Sequence, residues 1–133
     1  MLGYTLSHAL DASGLVISLF FGLVFAGGHL NHEVRDYEGD LLNGIRTSAV
    51  VFGCRRTFLA SLCTFTAAYA ILAGLAALGI LPRLLLWSPI VWLLHVAWSL
   101  RALQRGLGFE TASWMQRRYR LLFALIGLAM LAR

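Results

Sequence analysis

Uncharged apolar runs alternate along this chain with short charged segments, and the runs have the length of membrane spans. Residues 14–30, GLVISLFFGLVFAGGHL, carry no Asp, Glu, Lys or Arg. At 1.5 Å per residue they reach about 25 Å, a little under the hydrocarbon thickness, so the helix is expected to continue on either side. Residues 57–81 form the clearest span, an uncharged run that stops at Leu81 and Pro82. Residues 84–100 give a third span with Pro89 in its first turns, where a kink is tolerated if neighbouring helices take up the freed carbonyl. The apolar run 121–132 is short, so the last helix has to draw on Trp114 to Tyr119 to cross. Residues 1–13 mix Leu2, Tyr4, Leu6 and Leu10 with Ser7, His8, Asp11 and Ser13 and read as the end of a helix or a link into one.

The resulting expectation is an all-α integral membrane bundle of about four transmembrane helices, with residues 1–133 as a single membrane domain. Within the first span, Gly22, Ala26, Gly27 and Gly28 are small enough for another helix to pack close to the backbone. After it, Gly39, Asn43 and Gly44 are expected to interrupt the helix, and Thr47 to cap a short one through Ala49 to Phe52. Trp87 reads as an interfacial residue, Trp92 and Trp98 as packing.

Composition agrees with a membrane class. The chain is 59% hydrophobic and 13% charged, with a mean hydropathy of +0.76, far more apolar than a soluble average of roughly half apolar and a quarter charged. The net charge is +5, and all eleven basic residues are arginines placed at the ends of apolar runs. Lipid headgroups and the membrane potential are the partners this pattern fits, and nucleic acid is not. Arg35, Arg46, Arg55 and Arg56 lie in the segment 31–56, and Arg101, Arg105, Arg117, Arg118 and Arg120 in the segment 101–120. By the positive-inside rule both segments face the cytoplasm, which implies a multi-pass protein of the cytoplasmic (inner) membrane. No basic n-region precedes the first run, which is therefore read as a mature membrane segment. Cys54 and Cys63 have neither a metal spacing nor a disulfide framework and are expected to be buried reduced thiols.

The chemistry gathers between Asn31 and Gly53. Glu33, Asp36, Glu38 and Asp40 fall within eight residues and leave only Asp11 and Glu110 elsewhere. At about 100° per residue Glu33, Asp36 and Asp40 share one helix face within roughly 60°, while Glu38 and Arg35 point to the other side. Like charges at i, i+4 do not stabilise a helix. Either a hard cation such as Mg²⁺ reverses the sign of that face, with Asp36 and Asp40 as ligands, or the face is a solvated acidic loop between spans. His29, His32, Glu33 and Asp36 also have a spacing that can bind a transition metal, or are histidines and acids at a membrane surface. His95 lies within a span and is either functional or a hydrogen-bonded packing residue.

The segment Asn31–Gly53 resembles the second aspartate-rich motif of the UbiA superfamily of intramembrane prenyltransferases. In that motif an Asp-x-x-x-Asp pair is followed by Gly, a basic residue with Thr, and a closing apolar-Gly turn, here Asp36, Asp40, Gly44, Arg46, Thr47 and Gly53. Asn31 upstream, and Tyr119 and Arg120 before the last apolar run, are similar to the family too. The resemblance implies a helical bundle that transfers a prenyl group from a polyprenyl diphosphate to an aromatic or other lipophilic acceptor, as in quinone or lipid biosynthesis, in a cavity open to the cytoplasm. It implies Asp36 and Asp40 as Mg²⁺ ligands, Arg46 as a fork for phosphate oxygens, and Asn31 and Tyr119 as further substrate-binding residues. By residue chemistry alone, Asn31 is equally a capping or structural residue, and Arg117, Arg118 and Arg120 are topology determinants. Tyr37, Phe52, Tyr69 and Tyr119 are the aromatic candidates for stabilising an allylic cation.

The family's first motif, Asn-Asp-x-x-Asp-x-x-x-Asp, does not occur in these residues. The chain thus resembles a C-terminal half whose partner would be an N-terminal half carrying that motif. Two other functions stay open on the sequence: a non-catalytic four-span assembly or interaction subunit, and a divalent-cation carrier.

Overall fold

The computed structural model describes residues 11–132; the reading of residues 1–10 as a helix end or link lies outside them. Five α-helices follow one another: α1 (Ala12–Leu42), α2 (Ser48–Phe52), α3 (Cys54–Ala77), α4 (Ser88–Arg105) and α5 (Phe109–Met130). A 3₁₀ turn, Arg83–Trp87, leads into α4. The described residues are 86% helical and contain no strand, so the all-α class holds. Helices α1 and α3, and the 3₁₀ turn together with α4, are long and apolar enough to cross a membrane. Helix α5 is 22 residues long, but its stretch 110–120 carries Glu110, Arg117, Arg118 and Arg120.

Local chemistry sets the ends of these elements. The Asp11 carboxylate accepts from the Gly14 amide at 2.7 Å and caps α1. The helix then runs unbroken through the first span and the acidic segment, and Gly39 does not interrupt it. A glycine inside a long helix costs about 1 kcal/mol relative to alanine, too little to end one held by tertiary packing. The break comes at Asn43 and Gly44, where Gly44 has φ +68°. Thr47 caps α2 as expected, its hydroxyl accepting from the Val50 amide. Gly53 joins α2 to α3 at φ +87°, a left-handed conformation that side chains avoid. Pro89 makes no kink: it stands in the first turn of α4, where its missing N–H has no helical acceptor to lose. The last helix starts at Phe109, earlier than the apolar run alone indicates.

The four long helices form a ring in which α1 packs on α3 and α5, and α4 closes the other side against the same two. Side chains fill its centre in two layers. Val34, Ala49, Phe58, Ala102, Ala112 and Met115 pack near the end where α1 finishes and α3 begins. Phe20, Phe65, Tyr69, Leu72, Tyr119 and Ile126 pack further along. Gly27 permits the α1–α3 approach, since a Cβ there would meet the Phe65 ring at 3.0 Å. Gly28 faces Tyr119 of α5. Gly22, by contrast, is exposed, and a methyl group there would meet no described neighbour within 4 Å.

The expected burial of both thiols is corrected in part. Cys54 is half-buried, while Cys63 is exposed on the outside of α3, and both are free. In a membrane helix a small apolar thiol gains nothing by turning inward, because lipid is as apolar as the core. Trp92 packs as predicted, with its Nε1 donating to Thr66 Oγ1 at 3.0 Å. Trp98 packs beside the first layer of the core.

Candidate functional site

Helix α1 presents Val24, Gly28, His32, Asp36 and Asp40 in successive steps of four, one stripe on an α-helix. This stripe, with Phe25, His29 and Glu33 beside it, forms one wall of a cleft of about 580 Å³. Tyr119 and Arg120 of α5 and Thr47 of the α1–α2 connection supply the rest of its lining. The cleft is apolar where Val24, Phe25 and Tyr119 line it and charged where the acids and Arg120 do.

A polar network crosses from α1 to α5 beside this cleft. Arg35 makes a two-pronged contact with Asp36, Nε donating to Oδ1 and Nη2 to Oδ2, each at 2.7 Å. Its remaining arm, Nη1, donates to Gln116 Oε1 on α5 at 2.8 Å. The Gln116 amide nitrogen is thereby turned toward His32 Nε2, which also faces Arg120 Nη2 at 2.7 Å. Arginine has only donors, so His32 Nε2 must accept, which places the ring proton on Nδ1. The expectation that Arg35 points away from the acidic face is corrected: its Cα lies on another face, but its long stem brings the guanidinium around to Asp36.

Glu33 has other work. One carboxylate oxygen accepts from the Ser48 amide at 2.8 Å, tying the start of α2 to α1. The other lies 3.3 Å from His29 Nε2. The Asp40 carboxylate makes no hydrogen bond or ion pair among the described residues, and the residue is half-buried in the cleft lining. Glu38 is exposed and is not part of the lining.

The remaining sequence candidates divide between the cleft and the core. Asn31 stands across α1 from Asp36, buried against α3, where its Nδ2 donates to Ser61 Oγ. Ser61 in turn donates to the Gly27 carbonyl at 2.7 Å. Arg46 is exposed on the α1–α2 connection and does not line the cleft. Tyr119 lines it, with its hydroxyl 3.5 Å from the Gly28 carbonyl. Its ring belongs to an aromatic cluster behind the cleft: Phe65 lies 4.9 Å from both Tyr119 and His95, and Phe123 stacks on Phe65 and Tyr69. His95 is buried there, its Nδ1 3.3 Å from the Tyr69 hydroxyl. Tyr37 packs with the other core layer, and Phe52 is exposed.

No group of three or more His, Cys, Asp and Glu converges as a metal cluster among the described residues, so His29, His32, Glu33 and Asp36 do not form the transition-metal set their spacing allows. Two residues gain a place that residue chemistry alone did not give them, although the family resemblance had already marked Arg120. Arg120, otherwise a topology determinant, is the arginine that lines the cleft, whereas Arg118 of the same cluster covers the Trp114 ring at 3.9 Å. Gln116 carried no signal in the sequence and joins the two ends of the network.

Two findings from known proteins bear on this cleft. The family model described as "UbiA prenyltransferase family" matches residues 1–126. Comparison with curated proteins and with solved structures returns no match.

Proposed function

This chain belongs to the UbiA prenyltransferase family, an integral membrane family of prenyl-transferring enzymes, and on that premise we propose that its α1–α5 cleft receives the diphosphate end of a polyprenyl diphosphate. The prenyl group would pass to an aromatic or other lipophilic acceptor. The observation that carries the reading is the meeting of Asp36, Asp40, Tyr119 and Arg120, from two helices far apart in sequence, around one cleft.

The donor set suits Mg²⁺ as cofactor. Mg²⁺ is usually held by one or two carboxylates, with substrate phosphates and water completing its octahedron. Asp36 and Asp40 are two such groups one turn apart, and a carboxylate has lone pairs beyond the two that Arg35 uses. When bound, the ion neutralises charge that grows on the departing diphosphate. Arg120 donates to phosphate oxygens from the opposite wall, where an arginine fork is a better match than a point charge. The Tyr119 ring, backed by Phe65 and Phe123, offers an aromatic face to the allylic end. The apolar part of the lining keeps water from the carbon that would otherwise be hydrolysed.

In this reading the charged end of the bundle faces the cytoplasm, and a further polypeptide segment carrying the first aspartate motif covers the cleft and completes the ligand set. The alternative reading is a non-catalytic assembly subunit. Prenyl transfer from a radiolabelled prenyl diphosphate to a panel of quinone precursors separates the two, measured in membranes that contain the chain together with a segment carrying the first aspartate motif. Asp36→Ala and Asp40→Ala should each lower the rate about a thousandfold through loss of a clamp on the leaving group. Glu38→Ala should stay within about tenfold of the parent. Full activity of both Asp variants would leave the assembly reading standing.

A further inference from the structure

Asp36 does not stand open in the cleft: its two carboxylate oxygens are both taken by one guanidinium. Resting on the prenyl-diphosphate reading above, we propose that Arg35 is a displaceable counter-ion of Asp36, held by Gln116, which makes cation binding by Asp36 and Asp40 conditional on an arriving diphosphate.

The contact has the geometry of a good ion pair and the setting of a weak one. Both N–H···O distances are 2.7 Å, while the side chains of Arg35 and Asp36 keep 26% and 43% of their exposure. Pairs this wet contribute little net stability, because water competes for both partners. The two residues are also adjacent on α1, so their Cβ atoms diverge by about 100° and only the bent Arg35 stem brings them together. The pair is therefore easy to part. What holds the guanidinium beside Asp36, at the margin of the cleft lining, is its third contact, Nη1 to Gln116 Oε1 on α5 at 2.8 Å. Gln116 itself is buried and fixed from beyond by His32.

The consequence for a lone divalent cation is unfavourable. It would approach Asp40, whose carboxylate has no described partner, beside an Asp36 whose charge is already neutralised and whose guanidinium repels it. A diphosphate changes the balance without any bond being made. It offers phosphate oxygens to Arg35, which fit its fork as well as a carboxylate does, and it brings negative charge for the cation. Arg35 then exchanges Asp36 for phosphate, and Asp36 becomes free to ligate. Arg35 and Arg120, joined through Gln116 and His32, would grip the same anion from its two sides. The device keeps the half-site from holding a cation idle and ties metal capture to substrate.

The test uses the purified chain in lipid nanodiscs, with Mn²⁺ as the probe and electron paramagnetic resonance to count bound ion, for free Mn²⁺ and for the preformed Mn²⁺–pyrophosphate complex. Removal of a unit positive charge about 5 Å from a divalent ion in near-water dielectric predicts that Arg35→Gln binds free Mn²⁺ about tenfold more tightly than the parent. Loss of the fork predicts that the same variant binds Mn²⁺–pyrophosphate about tenfold more weakly. Arg35→Lys keeps the charge and so guards against a folding artefact; without the two-pronged contact it should move both affinities in the same two directions, by about threefold. Unchanged or weaker binding of free Mn²⁺ by both variants would overturn the counter-ion role. If the parent bound Mn²⁺–pyrophosphate in a way that Asp40→Asn abolishes, the prenyl-diphosphate reading would survive that failure; if it did not bind the complex at all, both would fall together.

Discussion

The sharpest difference between motif and geometry concerns which arginine would meet the proposed diphosphate from outside α1, and it can be measured. Arg46 belongs to the motif by position but is exposed on the α1–α2 connection, whereas Arg120 lines the cleft and reaches His32 at 2.7 Å. A hydrogen bond to a charged partner contributes about 1.5–3 kcal/mol, which converts to roughly a ten- to 150-fold loss of affinity when Arg120→Gln removes it. Arg46→Gln removes a solvated charge, and screening at physiological salt holds its effect to about twofold. Equilibrium binding of radiolabelled farnesyl diphosphate with Mg²⁺ to the chain in nanodiscs reads both numbers. Arg120 is itself exposed, so thermal unfolding of Arg120→Gln should match the parent and exclude a collapsed fold as the cause. A larger loss from Arg46→Gln than from Arg120→Gln would refute the reasoning and return the phosphate contact to the motif arginine.

Gly27→Val should destabilise the bundle by about 1–3 kcal/mol, since a side chain at that position drives into the Phe65 ring at the α1–α3 contact; chemical denaturation in detergent checks it, with outward-facing Gly22→Val as the control. Ser61→Ala should cost about 1–3 kcal/mol in the same assay because it strands the Asn31 amide in a buried interface. The double variant Asn31→Leu with Ser61→Ala should recover most of that loss, and a fully additive double variant would contradict the pairing. With Cys54 and Cys63 replaced by Ser, single cysteines at Asn43 and Gly108 should react with a membrane-impermeant maleimide from the same side of the membrane, and labelling from opposite sides would break the topology.

The spans are legible because a bilayer demands continuous apolar helices, and three runs meet that demand. Their ends are not, and each error has its own cause. Gly39 reads as a break when helix propensity is weighed without the packing of α1 on α3, which overrides it. The last helix begins at Phe109 rather than near Trp114 because its first turn is favoured by terms that an apolar run does not display: Glu110 suits the positive end of the helix dipole, and the small Ala112 is buried against the core. Cys63 reads as buried because the usual tendency of cysteine to turn inward is a rule for water-surrounded proteins.

In a membrane bundle apolarity does not separate inside from outside, as exposed Phe25 and Leu128 and buried Phe65 and Leu72 demonstrate together. The polar positions carry that information instead. The steps of four through His32, Asp36 and Asp40 mark one wall of the cleft because a helix makes such residues neighbours whatever surrounds them. The opposite wall has no such mark. Gln116 and Arg120 meet α1 across a sequence separation of more than eighty residues, and residue chemistry alone does not distinguish Arg120 from Arg117 or Arg118; only the family resemblance sets it apart. Three arginines in one turn of α5 point in three directions, and only the ring of helices decides that one of them faces the acids. The acidic face is therefore readable as half of a site, and its counter-charges, Arg35 beside Asp36 and Arg120 beyond His32, become visible only once the helices are brought together.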